Sequence, residues 1–96
     1  MNVQFILIKN PILTNDQDQM ATKISSMSNP EYQALLNSLV VGKYDIDQVV
    51  WWVQLARGIQ NNKNFPNQGL VVARIKFFVV SKKLIDSTVF EQYMKL

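Results

Sequence analysis

The sequence predicts a single small domain of the α+β class that spans residues 1–96. Three observations predict it. Apolar stretches with strand-like alternation lie at 3–8 and 70–80, helix-like spacing fills much of the chain between them, and 48% of the residues are hydrophobic. A chain of this size buries one modest core. The predicted order is strand, helix, helix, helix, long strand and short helix.

The N-terminal strand is predicted over residues 3–8, where both alternating sets of side chains are largely apolar. A strand of this kind needs cover on both faces. Pro11 ends it, because proline cannot donate a hydrogen bond to a sheet. No basic leader precedes the apolar residues and no small-residue cleavage pattern follows them, so we predict a strand and not a signal peptide.

Two helices are predicted next. The first runs from Thr14 to Met27 with a thin apolar stripe, and a long loop is the alternative for this segment. The second covers residues 30–41, with Asn29 as its N-cap and Gly42 at the C-terminal position that favours a left-handed residue. Its apolar residues recur at i, i+3, i+4, i+7 and i+8, which is typical of a helix that packs on a core.

The third predicted helix covers residues 45–62, begins at Asp45 and is apolar over about two-thirds of its circumference. Adjacent helical residues point about 100° apart, so Trp51 and Trp52 cannot easily enter the same core. Trp51 shares a flank with Leu55, and tryptophan beside leucine on an exposed flank is typical of interface hot spots. Trp51 and Leu55 are therefore the predicted protein interface, with burial inside the domain as the alternative.

The second strand is predicted over residues 70–80 because β-branched and aromatic residues dominate and two sets of side chains alternate. Arg74 and Lys76 fall in the middle of one face, which cannot then be wholly buried. Since two strands alone are marginally stable, we expect this strand either to form a hairpin or to pair with a second copy, giving a homo-oligomer. Thr88 and Glu91 predict a capping box for a short final helix.

Charge is distributed unevenly along the chain, although the formal net charge is only +3. Residues 1–47 hold more acidic than basic side chains, whereas residues 48–85 hold no acidic side chain at all. The basic residues of this second stretch are Arg57, Lys63, Arg74, Lys76, Lys82 and Lys83. If they share one surface, that surface is positive and fits a polyanion.

Nucleic acid or another acidic partner is therefore the predicted partner of these six cations. Asn61 and Asn62 would donate to phosphates or base edges, and Phe65 would stack on bases. The alternative is that the cations are ordinary solubilising charges and that Phe65 folds under its loop. A helix-turn-helix reading is disfavoured, because the outer face of the helix over 45–62 carries Trp51 and Leu55 instead of polar side chains.

Histidine and cysteine are both absent. Their absence excludes thiolate nucleophiles, imidazole bases and the usual nitrogen and sulfur ligands of zinc within this chain. Two D-x-D pairs lie where helices start, which is where acidic side chains are expected without any metal. We therefore predict a non-enzymatic binding module with no cofactor, no metal and no membrane span. It is placed in the cytoplasm by default, and a small-ligand enzyme that uses lysine, tyrosine or carboxylates is a weaker hypothesis.

Overall fold

The computed structural model describes residues 12–39 and 46–95, apart from the side chain of Ile46. Five helices form in this part of the chain, and it contains no strand. They are α1 (Asn15–Ser26), α2 (Asn29–Ser38), α3 (Ile46–Gln60), α4 (Gln68–Ser81) and α5 (Ser87–Met94). The predicted α+β class is therefore wrong for residues 12–39 and 46–95. The strand predicted over 3–8 lies outside the described residues.

The predicted long strand over 70–80 is helix α4, which removes the predicted hairpin and the predicted strand pairing with a second copy. The reason is the set of α4 side chains that enter the core. They follow the spacing i, i+3, i+4, i+7 and i+8, which is one face of a helix: Val71, Arg74, Ile75, Phe78 and Val79. Packing along that face outweighs the strand preference of its valines and phenylalanines.

Helix α1 confirms the prediction made for residues 14–27, with Thr14 as its N-cap. The Thr14 hydroxyl accepts a hydrogen bond from the Gln17 backbone N–H at 3.1 Å, and the Gln17 side-chain oxygen accepts one from the Thr14 backbone N–H at 2.8 Å. This reciprocal pair satisfies two donors that a helix start leaves free. Gln17 is fully buried, and its amide also donates to the Trp51 carbonyl at 3.2 Å, which ties α1 to α3.

Helix α2 begins one residue earlier than its predicted cap implies, because Ser28 and not Asn29 is the N-cap. The Ser28 hydroxyl accepts a hydrogen bond from the Glu31 N–H, and the Glu31 carboxylate accepts one from the Ser28 N–H at 2.8 Å. Asn29 is free for another role, since its side chain binds Arg74. The described part of α2 ends at Ser38 with Leu39 as C-cap, and the predicted end at Gly42 and the cap at Asp45 lie outside the described residues.

The Ser28–Glu31 cap predicts a pH dependence of stability. Hydrogen bonds from the Ser28 backbone N–H and hydroxyl lower the pKa of Glu31 below its ordinary value. A pKa that is lower in the folded chain gives stability above the unfolded pKa, and that stability is lost as the pH falls through the folded pKa. In thermal unfolding between about pH 3 and pH 7, we expect Glu31→Gln to be less stable than the wild type near neutrality and equal to it in acid. If the difference in melting temperature between Glu31→Gln and the wild type stays constant over this pH range, the pKa of Glu31 is not lowered by folding.

Helix α3 is the centre of the fold. It packs most extensively on α4 and also contacts α1 and α5. Its buried apolar residues are Val49, Trp52, Val53, Leu55, Ala56 and Ile59. Gly58 allows the chain before α1 to cross α3 closely, because a Cβ at this position would clash with the Leu13 side chain. The apolar circumference that the sequence shows for this helix is thus explained by burial against several neighbours.

Helix α5 starts at Ser87 with Asp86 as its N-cap, so the predicted capping box of Thr88 and Glu91 is wrong. Glu91 instead forms an ion pair with Lys76 of α4. Phe90 and Met94 are buried and attach α5 to the core. Within residues 12–39 and 46–95, no helix combines the length and the apolar character needed to cross a bilayer.

Candidate interaction surface

Arg57, one of the six predicted polyanion contacts, is buried in the structure. Only 7% of its surface is exposed, and its Nη1 donates to the Tyr93 carbonyl at 2.8 Å, near the C-terminus of α5. Gln60, one turn later on α3, donates to the Met94 carbonyl at 2.6 Å. A cation is favourable at a helix C-terminus, where main-chain carbonyls are otherwise unsatisfied. Arg57 therefore attaches α5 to α3 and does not face a ligand.

Arg74 is also buried, with 8% of its surface exposed. Its Nη1 donates to the carbonyls of Ile24 at 2.8 Å and Met27 at 2.9 Å, and its Nη2 donates to the Asn29 side-chain oxygen at 2.9 Å. The guanidinium carbon lies 4.9 Å from the centre of the Tyr32 ring, within cation–π range. Arg74 thus joins the C-terminus of α1, the N-terminus of α2 and α4 in one network.

The four lysines of the predicted set lie at three places along the chain. Lys76 lies on α4 and is ion-paired with Glu91. Lys63 is exposed in the loop before α4, whereas Lys82 and Lys83 follow its last turn, half-buried and exposed respectively. Since a helix of this length spans about 21 Å, the loop lysine and the lysine pair lie at opposite ends of α4. The structure does not gather the six cations on one continuous surface.

The remaining predicted nucleic-acid contacts lie in the loop between α3 and α4. Asn61 and Asn62 are exposed, and Phe65 is half-buried and packs against the core. Phe65 and Asn62 line a shallow groove with α1 residues that include Asp18 and Lys23. The loop is also attached to α1, because the Asn67 side chain donates to the Ser25 carbonyl at 2.9 Å. Among the aromatic side chains of residues 12–39 and 46–95 only Phe77 is exposed, so no row of exposed rings extends from Phe65.

The predicted protein interface, Trp51 and Leu55, is largely internal. Leu55 is fully buried. Trp51 is half-buried, and its ring meets the Trp52 ring edge to face, with centres 4.9 Å apart. The flank that carries both residues is covered by the chain around Leu13 and Gln17. Leu55 is therefore buried inside the domain, which was the alternative to an interface. An exposed apolar surface lies elsewhere, on α4.

An exposed apolar face runs along α4 opposite its buried side. Leu70 is 42% exposed and Phe77 is 53% exposed, with the exposed Ala73 between them. These three residues, here called the α4 face, follow the spacing i, i+3 and i+7, so they lie on one side of the helix. Sequence reasoning missed this face because a strand over 70–80 assigns Leu70 and Phe77 to opposite sides.

Two shallow grooves lie near the two ends of α4, and one of them includes a residue of the α4 face. The first groove is lined by Lys63, Gly69 and Ala73 among others, so Lys63 lies beside the N-terminal end of the face. The second groove follows the C-terminal end of α4 and is lined by Val80, Lys83 and Asp86 among others, with no residue of the α4 face among them. The α4 face is thus an exposed apolar surface with Lys63 beside its N-terminal part.

The turn that follows α4 holds Lys83 in an unusual backbone conformation. Its φ of 59° is in the left-handed region, which favours glycine. The Leu84 N–H donates to the Val79 carbonyl at 2.9 Å and the Lys83 N–H donates to the Val80 carbonyl at 3.0 Å, as in a Schellman motif. The chain thus places a lysine where glycine would be more stable.

The described residues contain no cluster of three or more side chains that could hold a metal ion. No protein family, curated protein or solved structure matches this chain. Its function therefore has to be inferred from the residues and surfaces described above.

Proposed function

We propose that this chain is a non-enzymatic binding module that docks a partner protein on the α4 face. The observation that supports the proposal is the exposure of Leu70 and Phe77 on a helix whose opposite side is buried in the core. Within residues 12–39 and 46–95, only one other large hydrophobic residue is comparably exposed, Ile12. Exposed apolar side chains that share one side of a helix over two turns are typical of protein contacts. The cytoplasm remains our proposal for its compartment.

The energetics of the α4 face are sufficient for a specific contact of moderate affinity. Burying a phenylalanine or leucine side chain contributes about 1.5 to 3 kcal/mol, and 1.4 kcal/mol corresponds to a tenfold change in affinity. Ala73, lying between the two large side chains, leaves room for an apolar side chain of the partner. The face therefore fits a partner helix whose apolar residues also recur at i, i+3 or i+4 and i+7.

Selection from a random library of displayed 16-residue peptides against the full chain tests this proposal. We expect the selected peptides to carry apolar residues with helical spacing. Their affinity should fall at least about tenfold with Phe77→Ser or Leu70→Ser, since each loses most of one buried side chain. Gln92→Ser, at an exposed position of α5, is the matched control and should leave binding unchanged. Peptides that bind Phe77→Ser as well as the wild type would refute docking on α4.

A second candidate function is contact with a polyanion through Lys82 and Lys83. The observation that favours it is the left-handed conformation of Lys83, because a non-glycine residue in that conformation costs about 1 kcal/mol or more and such strain is common at functional sites. Neither lysine has an ion pair with another described residue. Only two of the six predicted cations are adjacent in this way, so the expected affinity for nucleic acid is low and strongly dependent on salt.

Lys83→Gly tests the second candidate with two measurements on one variant. We expect urea unfolding to show a gain of about 0.5 to 1 kcal/mol, because glycine adopts the left-handed conformation without strain. If Lys83 contacts phosphate, the slope of log affinity for a DNA duplex against log salt should fall by about 0.9. Lys23→Gly, on α1, controls for general charge. Absence of binding to DNA or RNA at low salt would exclude this function.

A further inference from the structure

The turn that joins α4 to α5 contains a strained residue, and nothing in its composition prevents a helix. Residues 82–86, here called the hinge, connect the two helices. Lys83 is left-handed with a φ of 59°, and Asp86 is extended. Residues 70–96 contain no glycine and no proline. The turn is therefore maintained against the preference of Lys83 for a right-handed conformation.

A helical hinge would fuse α4 and α5 into one helix that is longer than the domain. From Gln68 to Met94 such a helix would measure about 40 Å, since each residue rises about 1.5 Å. The folded chain measures 34 Å along its longest axis. In the fused helix α5 would project away from the surface on which it packs, and its apolar side would need an equivalent surface on another molecule.

That surface, here called the α5 seat, is formed by side chains of α3 and α4: Arg57, Gln60 and Lys76. Arg57 and Gln60 donate to the last carbonyls of α5, at 2.8 Å and 2.6 Å. Lys76 is ion-paired with Glu91. Two buried side chains of α5 complete the attachment. None of these contacts involves the hinge, so an α5 supplied by a second copy would make every one of them.

We propose that two copies of this chain exchange α5. In each copy the hinge becomes helical, α4 and α5 fuse, and α5 enters the α5 seat of the other copy, which closes a two-fold dimer. The exchange is favoured because Lys83 leaves the left-handed conformation in both copies while the contacts of the α5 seat are kept. It does not use the α4 face and goes beyond the function proposed above.

The buried residue of the hinge opposes the exchange. Ile85 is 6% exposed, and a helical hinge withdraws it from the core of its own copy. In the two-fold dimer both hinges cross between the copies, where Leu84 and Ile85 of one hinge would cover those of the other. Association also costs translational and rotational freedom. The monomer is therefore favoured at low concentration and the exchanged dimer at high concentration.

Two opposite substitutions at Lys83 test the hinge, measured by sedimentation velocity of the full chain from about 10 μM to about 1 mM. Lys83→Gly relieves the left-handed strain and weakens a helical hinge, so we expect it to lower the association constant of the dimer at least about tenfold. Lys83→Val should raise this constant, because a β-branched residue strongly disfavours the left-handed region. Lys82→Gly is the matched control and should change it little, since a φ of −86° fits the turn and a helix alike.

Mixing two charge variants distinguishes exchange from ordinary association. Lys76→Glu alone and Glu91→Lys alone each place like charges together at the α5 seat. In an exchanged dimer with one copy of each variant, both seats hold opposite charges again. We expect the association constant of this mixed dimer to be at least about fivefold above that of either variant alone. A mixture of Lys23→Glu with Glu91→Lys is the control and should show no gain over Lys23→Glu alone.

Two outcomes would overturn the inference. If the wild type stays monomeric up to about 1 mM, the copies do not exchange α5. If a dimer forms and mixing Lys76→Glu with Glu91→Lys gives no gain, α5 stays in its own copy. Loss of that second kind of dimer in Phe77→Ser would identify the α4 face as the contact, which overturns the exchange and leaves the proposed function standing with a second copy as its partner.

Discussion

Replacing Arg74 with methionine is expected to lower the free energy of unfolding by about 2 to 5 kcal/mol. The guanidinium donates to two carbonyls at the C-terminus of α1 and to the Asn29 side chain. Methionine preserves much of the apolar stem but removes every donor, so the Met27 carbonyl and the Asn29 side chain lose this partner and the Ile24 carbonyl keeps only the Met27 N–H at 3.4 Å. Leaving buried polar groups unsatisfied costs about 1 to 3 kcal/mol for each.

The neighbours of Arg74 increase the expected loss. The Tyr32 ring lies under the guanidinium, and the Tyr32 hydroxyl donates to the Arg74 backbone carbonyl. Burial raises the pKa of Tyr32 to about 12, with Arg74 opposing part of this rise. The phenol is therefore neutral and remains a hydrogen-bond donor at physiological pH. Removal of the guanidinium would disturb the contact between α2 and α4 as well as the end of α1.

Urea unfolding followed by tryptophan fluorescence is the measurement for Arg74→Met. Because small domains are stable by only about 5 to 15 kcal/mol, this variant could fail to fold, and Asn29→Ala provides a milder version. It removes one of the three acceptors and should cost about 1 kcal/mol. Lys82→Met is the matched control at a less buried site and should change stability by about 0.5 kcal/mol or less. Equal stability of Arg74→Met and Lys82→Met would refute a structural role for Arg74.

Phe77 and Phe78 are adjacent on α4, and the same substitution is expected to lower stability strongly at Phe78 and hardly at all at Phe77. Phe78 is 1% exposed, and its ring centre lies 4.9 Å from that of Trp52. Phe78→Ala should therefore lower the free energy of unfolding by about 3 to 5 kcal/mol through lost burial and the cavity left behind. Phe77→Ala removes an exposed ring and should change stability by about 0.5 kcal/mol or less.

Thermal and urea unfolding of the two alanine variants, side by side, give this comparison an internal control, because both substitutions delete the same atoms from the same helix. Binding of the selected peptides should show the opposite ranking for Phe77→Ala and, where it folds, Phe78→Ala. Similar losses of stability in the two variants would mean that α4 presents a different face to the core. A strand over 70–80 would also place these two side chains on opposite faces. The stability data alone therefore do not separate a helix from a strand, and a circular dichroism spectrum is needed to show that the segment is helical.

Residues 70–80 show why the fold class could not be obtained from local patterns. Their valines, isoleucine and phenylalanines favour strands, and Arg74 reads as an exposed residue in any hydrophobicity pattern. The helical spacing is complete only when Arg74 is counted as buried. Its burial depends on acceptors at Ile24, Met27 and Asn29, which lie 45 to 50 residues away in the chain. A local window contains none of these partners.

The candidate site was missed for the same reason. Trp51 and Leu55 were predicted as the interface because the sequence shows a second apolar flank on α3, and the sequence does not show that Leu13 and Gln17 cross that flank. Conversely, Leu70 and Phe77 belong to an apolar stretch in which nothing local distinguishes them from the buried valines and Phe78. Which apolar side chains stay exposed is decided by the shapes and positions of the other helices.

The sequence by itself determined the features that depend on neighbouring residues. These are the start of α1, the start of α2 to within one residue and the helical character of α3. Composition alone gave the acid-free stretch over 48–85 and the absence of histidine and cysteine chemistry. Only the tertiary structure decided that α4 is a helix, that two arginines serve as helix-end contacts and that Phe77 is exposed where Phe78 is buried. Caps and composition act over a few residues, whereas burial depends on contacts between segments distant in the chain, and those contacts outweigh local propensity.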